Sequence, residues 1–159
     1  MADIGGALSE SAGLSGVEAA AGGAVLTAFE LMTADDEGWP HVAWLGPAEI
    51  VPLNNVRIAL AIWPSSTTKR NLEGGRAVLQ IVANGSVQRW RLLVESLGPF
   101  PVNGGELAAF RAVVDRVVED QVGYAQVLSG PTYRLDDPAR TIERWRRQAS
   151  ALLQVAKSA

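Results

Sequence analysis

The sequence contains no cysteine and a single histidine, His41. Without cysteine the chain has no disulfide, no thiolate nucleophile and no cysteine-ligated metal or iron–sulfur site. One histidine leaves no second imidazole for a His-rich metal centre or a two-histidine proton relay. We therefore predict no metal site. Basic charge is also scarce: 14 Lys and Arg oppose 17 Asp and Glu, and this net charge of −3 disfavours non-specific binding of nucleic acid.

Long apolar runs are absent as well. No stretch approaches the roughly 20 apolar residues that a membrane-spanning helix needs. The first 24 residues contain neither Lys nor Arg, whereas secretory signals begin with a basic region and mitochondrial transit peptides are rich in Arg. We expect a cytoplasmic protein with no membrane partner. Because glycine is dense in residues 1–23, we predict a mobile N-terminal arm there, with at most one helical turn around residues 17–21.

The composition that remains is typical of one packed domain. Hydrophobic residues make up 48% and charged residues 19% of the 159 positions. Near the end of the chain, Asp137-Pro138 is a typical helix start. Apolar residues then recur every three or four positions, which predicts an amphipathic C-terminal helix over 137–157. Its apolar face must pack on the domain itself or on a second subunit; its members are Ile142, Trp145, Ala149, Leu152 and Ala156.

The middle of the chain has the pattern of an antiparallel sheet. Asn84-Gly85, between two apolar segments, is the strongest hairpin signal in the sequence. Leu107, Phe110, Val114 and Val117 share one helical stripe, so we predict a helix over 106–120. Residues 124–135 fit either a last strand or an irregular return. A mainly β domain with flanking helices follows, a six-stranded antiparallel barrel, because closure removes exposed edges. Strands are predicted over 24–34, 39–45, 49–53, 56–63, 76–83 and 86–96.

One short segment gathers hydroxyl and basic side chains where a strand gives way to a short helix. Ser65 or Ser66 is a natural N-cap, Leu72 is the expected inward residue, and Gly74 is the expected end. Helix starts carry partial positive charge, so Lys69 and Arg70 are unfavourable there unless an anion binds. The pattern fits a phosphate site. It also fits a capped surface helix whose Lys and Arg point to water.

The order of these motifs resembles the pyridoxamine 5′-phosphate oxidase-like family. A hairpin turns through Gly-Trp-Pro-His-Val, the later strand ends in Ser-Ser-Thr-Thr-Lys-Arg-Asn-Leu, and a Gly-Gly turn leads to Arg-Ala-Val-Leu. The resemblance covers residues 25–94, close to half of the chain. Its motifs are residue types at positions, not a fixed string. Members of this family are FMN-binding split barrels, so the resemblance implies a split barrel here.

The resemblance also implies a cofactor site and an assembly. It implies a homodimer with two flavins between the subunits and a small-molecule substrate that exchanges a hydride or electrons with FMN. Trp63 would then lie near the flavin ring. The implied phosphate ligands are Ser66, Thr67, Thr68, Lys69 and Arg70.

One departure from the family pattern limits this inference. Family members usually carry an Arg and a Lys on the strand before the cluster, whereas residues 41–56 contain neither. The substrate-phosphate residues of the true oxidase have no counterparts here, so we do not assign that activity. The alternative is a non-catalytic split-barrel dimer that holds a flavin, a deazaflavin or heme, or whose site is vacant.

The remaining candidates have simpler explanations beside functional ones. His41 suits a heme ligand or an acid–base group, but a half-buried strand residue with one hydrogen bond is more common. Asp35, Asp36 and Glu37 are typical turn formers. Arg89 and Arg91 face a ligand, a partner subunit or water. For Trp44, Trp63 and Trp90, core packing is the first expectation and a wall beside the flavin the second.

Overall fold

The computed structural model describes residues 4–159. The helices are α1 (Ile4–Leu8), α2 (Gly13–Ala21), α3 (Thr67–Leu72) and α4 (Pro138–Ser158). The strands are β1 (Leu26–Thr27), β2 (Phe29–Ala34), β3 (Pro40–Leu45), β4 (Ile50–Pro52), β5 (Arg57–Ile62), β6 (Arg76–Ala83), β7 (Ser86–Val102), β8 (Gly105–Asp120) and β9 (Thr132–Tyr133).

Seven strands form one antiparallel sheet in the order β3-β2-β6-β7-β8-β5-β4, and β1 pairs with β9 in a small second sheet. Within residues 4–159, β3 and β4 are the outer strands and do not pair with each other, so the sheet curls without closing. The mainly β split-barrel fold is thus confirmed, with seven strands in the main sheet instead of the predicted six.

The additional strand is β8, so the helix predicted over 106–120 is wrong. Phe110 pairs with Leu60 of β5 on one side, and Val117 pairs with Trp90 of β7 on the other. A strand that has neighbours on both sides and both faces covered is encoded by a nearly continuous run of apolar residues. The spacing of apolar residues in such a run cannot distinguish a strand from a helix. The β-branched valines at 113, 114, 117 and 118 favour the strand.

The N-terminal segment also differs from the expectation of a mobile arm. Residues 1–3 lie outside the described part of the chain, and the rest forms α1 and α2, with Ile4, Leu8 and Val17 fully buried. Gly16 permits a close approach, because a Cβ there would lie 2.5 Å from the backbone of Ser11. The local sequence reveals only the low helix propensity of glycine. Tertiary packing offsets that cost.

Two apolar clusters lie on opposite faces of β5. Ile58 and Leu60 point into the barrel, while Ala59 and Ala61 face α4, whose residues Ile142, Ala149, Leu152 and Ala156 are buried. The small alanines let the helix approach the sheet. Asp137 caps α4 by accepting a hydrogen bond from the Arg140 N–H at 3.2 Å. The C-terminal helix is therefore confirmed.

Candidate functional site

The predicted hydroxyl and basic cluster lies on α3, which connects β5 to β6. Ser66 is the N-cap, and its Oγ accepts a hydrogen bond from the Lys69 N–H at 3.1 Å. Leu72 is buried as predicted. The helix ends at Leu72 with Glu73 as its C-cap, before the predicted end at Gly74, and the chain turns into β6 at Gly75, where φ is +84°. The sequence therefore predicted the N-cap and the buried residue of this helix correctly.

Two of the predicted phosphate ligands are held by contacts inside the protein. The Ser66 hydroxyl donates to the carbonyl of Trp63 at 2.8 Å. Thr68 is only 4% exposed, and its Oγ1 lies 3.1 Å from Nε2 of His41 on β3. Both hydroxyls fix α3 to its surroundings, and that of Thr68 faces inward. His41 is the half-buried strand residue with one hydrogen bond that the simpler explanation predicts.

Thr67 and Arg70 face outward and remain open. Both are exposed, and neither side chain makes a hydrogen bond or ion pair within residues 4–159. Lys69 pairs with Glu73 one turn later on the helix surface. Such an exposed pair contributes only about 0.3–0.5 kcal/mol, so an anion can displace Glu73. Three donors of the predicted five can therefore reach a phosphate.

An acidic turn faces the same place. Thr67, Arg70 and the turn formed by Asp35, Asp36 and Glu37 line one shallow pocket of about 320 Å³. Asp35 is the turn former, because its Oδ1 accepts hydrogen bonds from the N–H groups of Glu37 (2.9 Å) and Trp39 (2.8 Å). The neighbouring carboxylates weaken the local positive potential. The sequence could not reveal this, because the turn and α3 are some 30 positions apart.

The tryptophans divide into two groups. Trp90 is fully buried in the barrel and donates from Nε1 to Oε1 of Gln88 at 3.0 Å, as core packing predicts. Trp44 and Trp63 are 66% and 62% exposed. Trp63 follows β5 directly and comes three residues before the N-cap of α3, so the chain offers an exposed planar apolar ring just ahead of the open donors.

Arg89 and Arg91 both lie on the outer face of β7, but only Arg89 has side-chain partners. Arg89 donates to Gln80 (2.9 Å) and Asp120 (3.2 Å), and Gln80 donates to Glu30 (3.1 Å), which makes a polar row across four strands. Arg91 makes no side-chain hydrogen bond or ion pair within residues 4–159. Arg89 is therefore a structural residue, and Arg91 is an unpaired cation.

The buried carboxyl group of Glu49 is not among the residues that the sequence singled out. Oε1 of Glu49, in the loop between β3 and β4, accepts a hydrogen bond from the Gly46 N–H at 2.9 Å. Burial raises the pKa of Glu49 to about 6, although this hydrogen bond opposes the rise. The hydroxyl of Tyr133 is buried nearby without a partner among the described residues. Burial, followed by the charge of Glu49, raises the pKa of Tyr133 to about 12.

Gly46 makes this buried group possible. A Cβ at Gly46 would lie 3.1 Å from Cζ2 of Trp145 and 3.2 Å from the Tyr133 oxygen. The loop thus packs tightly under α4, and Gln148 of α4 donates to the carbonyl of Ala48 at 3.1 Å. No local sequence signal marks Glu49, because its burial comes from elements 80 to 100 positions away.

The donor set around α3 fits a phosphate monoester beside a planar ring. Arg70 supplies a guanidinium group and Thr67 supplies a hydroxyl. Lys69 supplies an ammonium group that can leave its ion pair with Glu73. Trp63 supplies an exposed aromatic face. Within residues 4–159, no three His, Asp or Glu side chains are placed to hold a metal ion. No helix in that range has the length and apolar character needed to cross a bilayer.

No family model matches the chain. YclD of Bacillus subtilis (strain 168), an uncharacterized protein, is 31% identical over 121 residues, which covers 76% of this chain and 79% of YclD. The solved structure of HupZ from Group A Streptococcus is 16% identical and has a TM-score of 0.51, covering 64% of this chain and 90% of that one. At this identity the likeness to HupZ shows the fold alone.

Two further structures are similar at lower scores. HutZ, the heme storage protein from Vibrio cholerae, has a TM-score of 0.43 at 13% identity and covers 57% of this chain and 82% of its own. An FMN-binding protein from Syntrophomonas wolfei subsp. wolfei has a TM-score of 0.41 at 14% identity, with coverages of 59% and 77%. The chain belongs to the family of YclD and has the pyridoxamine 5′-phosphate oxidase-like split-barrel fold.

Proposed function

We propose that this protein binds FMN at α3 and acts as a flavin-dependent oxidoreductase on a small molecule. The observation that carries the proposal is that the exposed Trp63, whose carbonyl accepts a hydrogen bond from the N-cap Ser66, immediately precedes a helix on which the side chains of Thr67 and Arg70 are open. A phosphate and a flat ring need these two kinds of surface next to each other. The split-barrel fold adds support.

Each residue then has a defined task. Arg70 and Thr67 bind the phosphate, and Lys69 joins them when it leaves Glu73. Trp63 covers part of the ring and excludes water from it. FMN supplies the hydride or electron transfer when it is bound, so the protein needs no cysteine and no second histidine for that step.

The first prediction concerns the phosphate contact. Arg70→Gln should weaken FMN binding about tenfold, because a charge-assisted hydrogen bond is lost. Asp36→Asn should tighten FMN binding about two- to threefold, because a repelling charge leaves the pocket. Titration followed by flavin fluorescence measures both affinities. Arg140→Gln, at an exposed and unpaired arginine of α4, is the matched control and should bind FMN like the wild type.

The same titration can refute the proposal. Purified protein that is colourless and leaves the fluorescence of added FMN unchanged does not bind this cofactor. Equal affinities in wild type and Arg70→Gln would place the flavin elsewhere on the protein. Activity is tested separately, by reduction of the bound flavin with NAD(P)H and transfer of electrons to an acceptor.

A second candidate function is a binding protein without turnover. It is favoured by the hydroxyls of Ser66 and Thr68, which are engaged within the protein and leave fewer phosphate donors than predicted, and by the acidic turn. The visible absorption spectrum of freshly purified protein separates the candidates: flavin bands, a deazaflavin band, a Soret band of heme, or no band. Bound flavin that NAD(P)H cannot reduce would favour this second function.

We also propose that the protein is a homodimer through the outer face of β3. Val42 and Trp44 are 48% and 66% exposed side by side on this outer strand, an apolar surface typical of an interface. We predict that Trp44→Lys elutes as a monomer in size-exclusion chromatography with light scattering, because a desolvated ammonium disfavours the interface. Val25→Lys, at a valine near β1 that is 80% exposed, should leave the dimer intact. A monomeric wild type, or a dimeric Trp44→Lys, would contradict this assembly.

A further inference from the structure

The outer face of the main sheet brings three unpaired arginines together. Arg91 of β7 is directly opposite Arg116 of β8, and Arg76 of β6 pairs with Leu93, two positions further along β7. All three arginines are exposed, and none of their side chains makes a hydrogen bond or an ion pair anywhere in the described chain.

This arrangement differs from the other arginines on the same strands. Arg89 has Gln80 and Asp120 as partners, and Nε of Arg111 donates to Oε1 of Glu95 at 2.7 Å. Like charges directly opposite each other on neighbouring strands destabilise a sheet. The Arg91–Arg116 pair therefore opposes folding, in a protein whose net charge is negative. A bound anion would remove this repulsion.

Arg76 and Arg91 line a groove with an apolar floor, and Arg116 is the cross-strand partner of Arg91. The groove has a volume of about 430 Å³, and Met32, Val78 and Leu93 contribute apolar surface to it. Its only acid among the described residues is Asp115, which is unopposed in a β-bulge because Arg91 pairs with Arg116 and Leu92 pairs with Val114. Bulges often lie next to functional sites, where they redirect side chains. Two arginines and one aspartate leave the lining of the groove positively charged, and Arg116, directly opposite Arg91, adds to this charge.

We propose that this groove binds a small amphipathic anion. A phosphate or carboxylate group lies between Arg76, Arg91 and Arg116, whose guanidinium forks match two oxygens at once. The apolar part of the molecule covers Met32 and Val78. The site is separate from the donors on α3 and needs no flavin, so it goes beyond the proposed function.

Octyl phosphate is the probe, used below its micelle concentration and followed by isothermal titration calorimetry on the whole protein. We expect it to bind while octylamine does not, and its affinity to fall as salt is raised. Arg91→Gln and Arg116→Gln should each weaken it about tenfold, the effect of one charge-assisted contact. Arg140→Gln is again the control and should bind octyl phosphate normally.

Thermal unfolding without ligand supplies an independent readout. If the Arg91–Arg116 pair is strained, Arg116→Gln should raise Tm by about 1–3 °C, whereas loss of a structural arginine lowers it. The proposal is wrong if octyl phosphate does not bind, if octylamine binds as well, or if Arg116→Gln binds octyl phosphate like the wild type. A changed oligomeric state in Arg116→Gln with unchanged binding would instead make this face a contact between two copies, and would also refute the groove.

Discussion

Trp90→Ala should lower the free energy of unfolding by about 4 kcal/mol, which is the loss typical of removing a buried tryptophan from a core. Trp90 is among the largest fully buried side chains in the described chain. On neighbouring strands it is directly opposite Leu79 and Val117. Its removal leaves a cavity in the centre of the barrel and leaves Gln88 without its indole donor. Since domains of this size are stable by only about 5–15 kcal/mol, this loss is at least about a quarter of the total stability.

Urea unfolding followed by circular dichroism measures this loss. Trp90→Phe should cost clearly less, because the phenyl ring fills most of the space and only the indole hydrogen bond and part of the volume are lost. Trp39→Phe, at a position 68% exposed, is the matched control and should change stability by less than about 0.5 kcal/mol. A loss below about 1 kcal/mol in Trp90→Ala would mean that the barrel core is packed differently.

Glu49→Gln should stabilise the protein by about 2 kcal/mol at pH 8 and have almost no effect at pH 4. Burial raises the pKa of Glu49 from 4.5 to about 6, and each pKa unit corresponds to about 1.4 kcal/mol. The folded state therefore holds this proton more tightly than the unfolded state does. The resulting stability is fully present below pH 4.5, is lost as the pH rises to about 6, and stays lost above that.

Chemical unfolding at pH values from 4 to 8 tests this prediction. In the wild type, stability should fall between pH 4.5 and 6 through Glu49, and Glu49→Gln should lack that component while keeping an acceptor for the Gly46 N–H. Glu106→Gln, at an exposed glutamate, is the control variant. If the wild type and Glu49→Gln show parallel pH dependences, Glu49 is better solvated than its position under α4 indicates.

The loop between β3 and β4 therefore lowers the stability of the fold at neutral pH, because Glu49 is ionised there. The ionised Glu49 is buried between the sheet and α4, beside the unpartnered hydroxyl of Tyr133. This loop leads out of β3, the strand that carries His41 and Trp44.

Sequence signals that act within a few residues predicted the structure well. Asn84 and Gly85 adopt the positive φ values, 53° and 79°, that their residue types favour in a tight hairpin. Ser66 caps α3 and Asp137 caps α4 through hydrogen bonds to N–H groups three positions ahead. Such contacts depend only on the local chain, so residue type and spacing suffice to predict them.

The sequence by itself thus determined the β2–β3 and β6–β7 hairpins, both capped helices, the split-barrel resemblance and the segment that holds the candidate cofactor site. Only the tertiary structure decided that residues 106–120 form a strand, that α1 and α2 pack on the body, and which hydroxyls of the cluster are open. Thr68 turns inward because His41 is 27 positions away in sequence but 3.1 Å away in space. The three outer-face arginines likewise meet only through strand register, which no local pattern specifies.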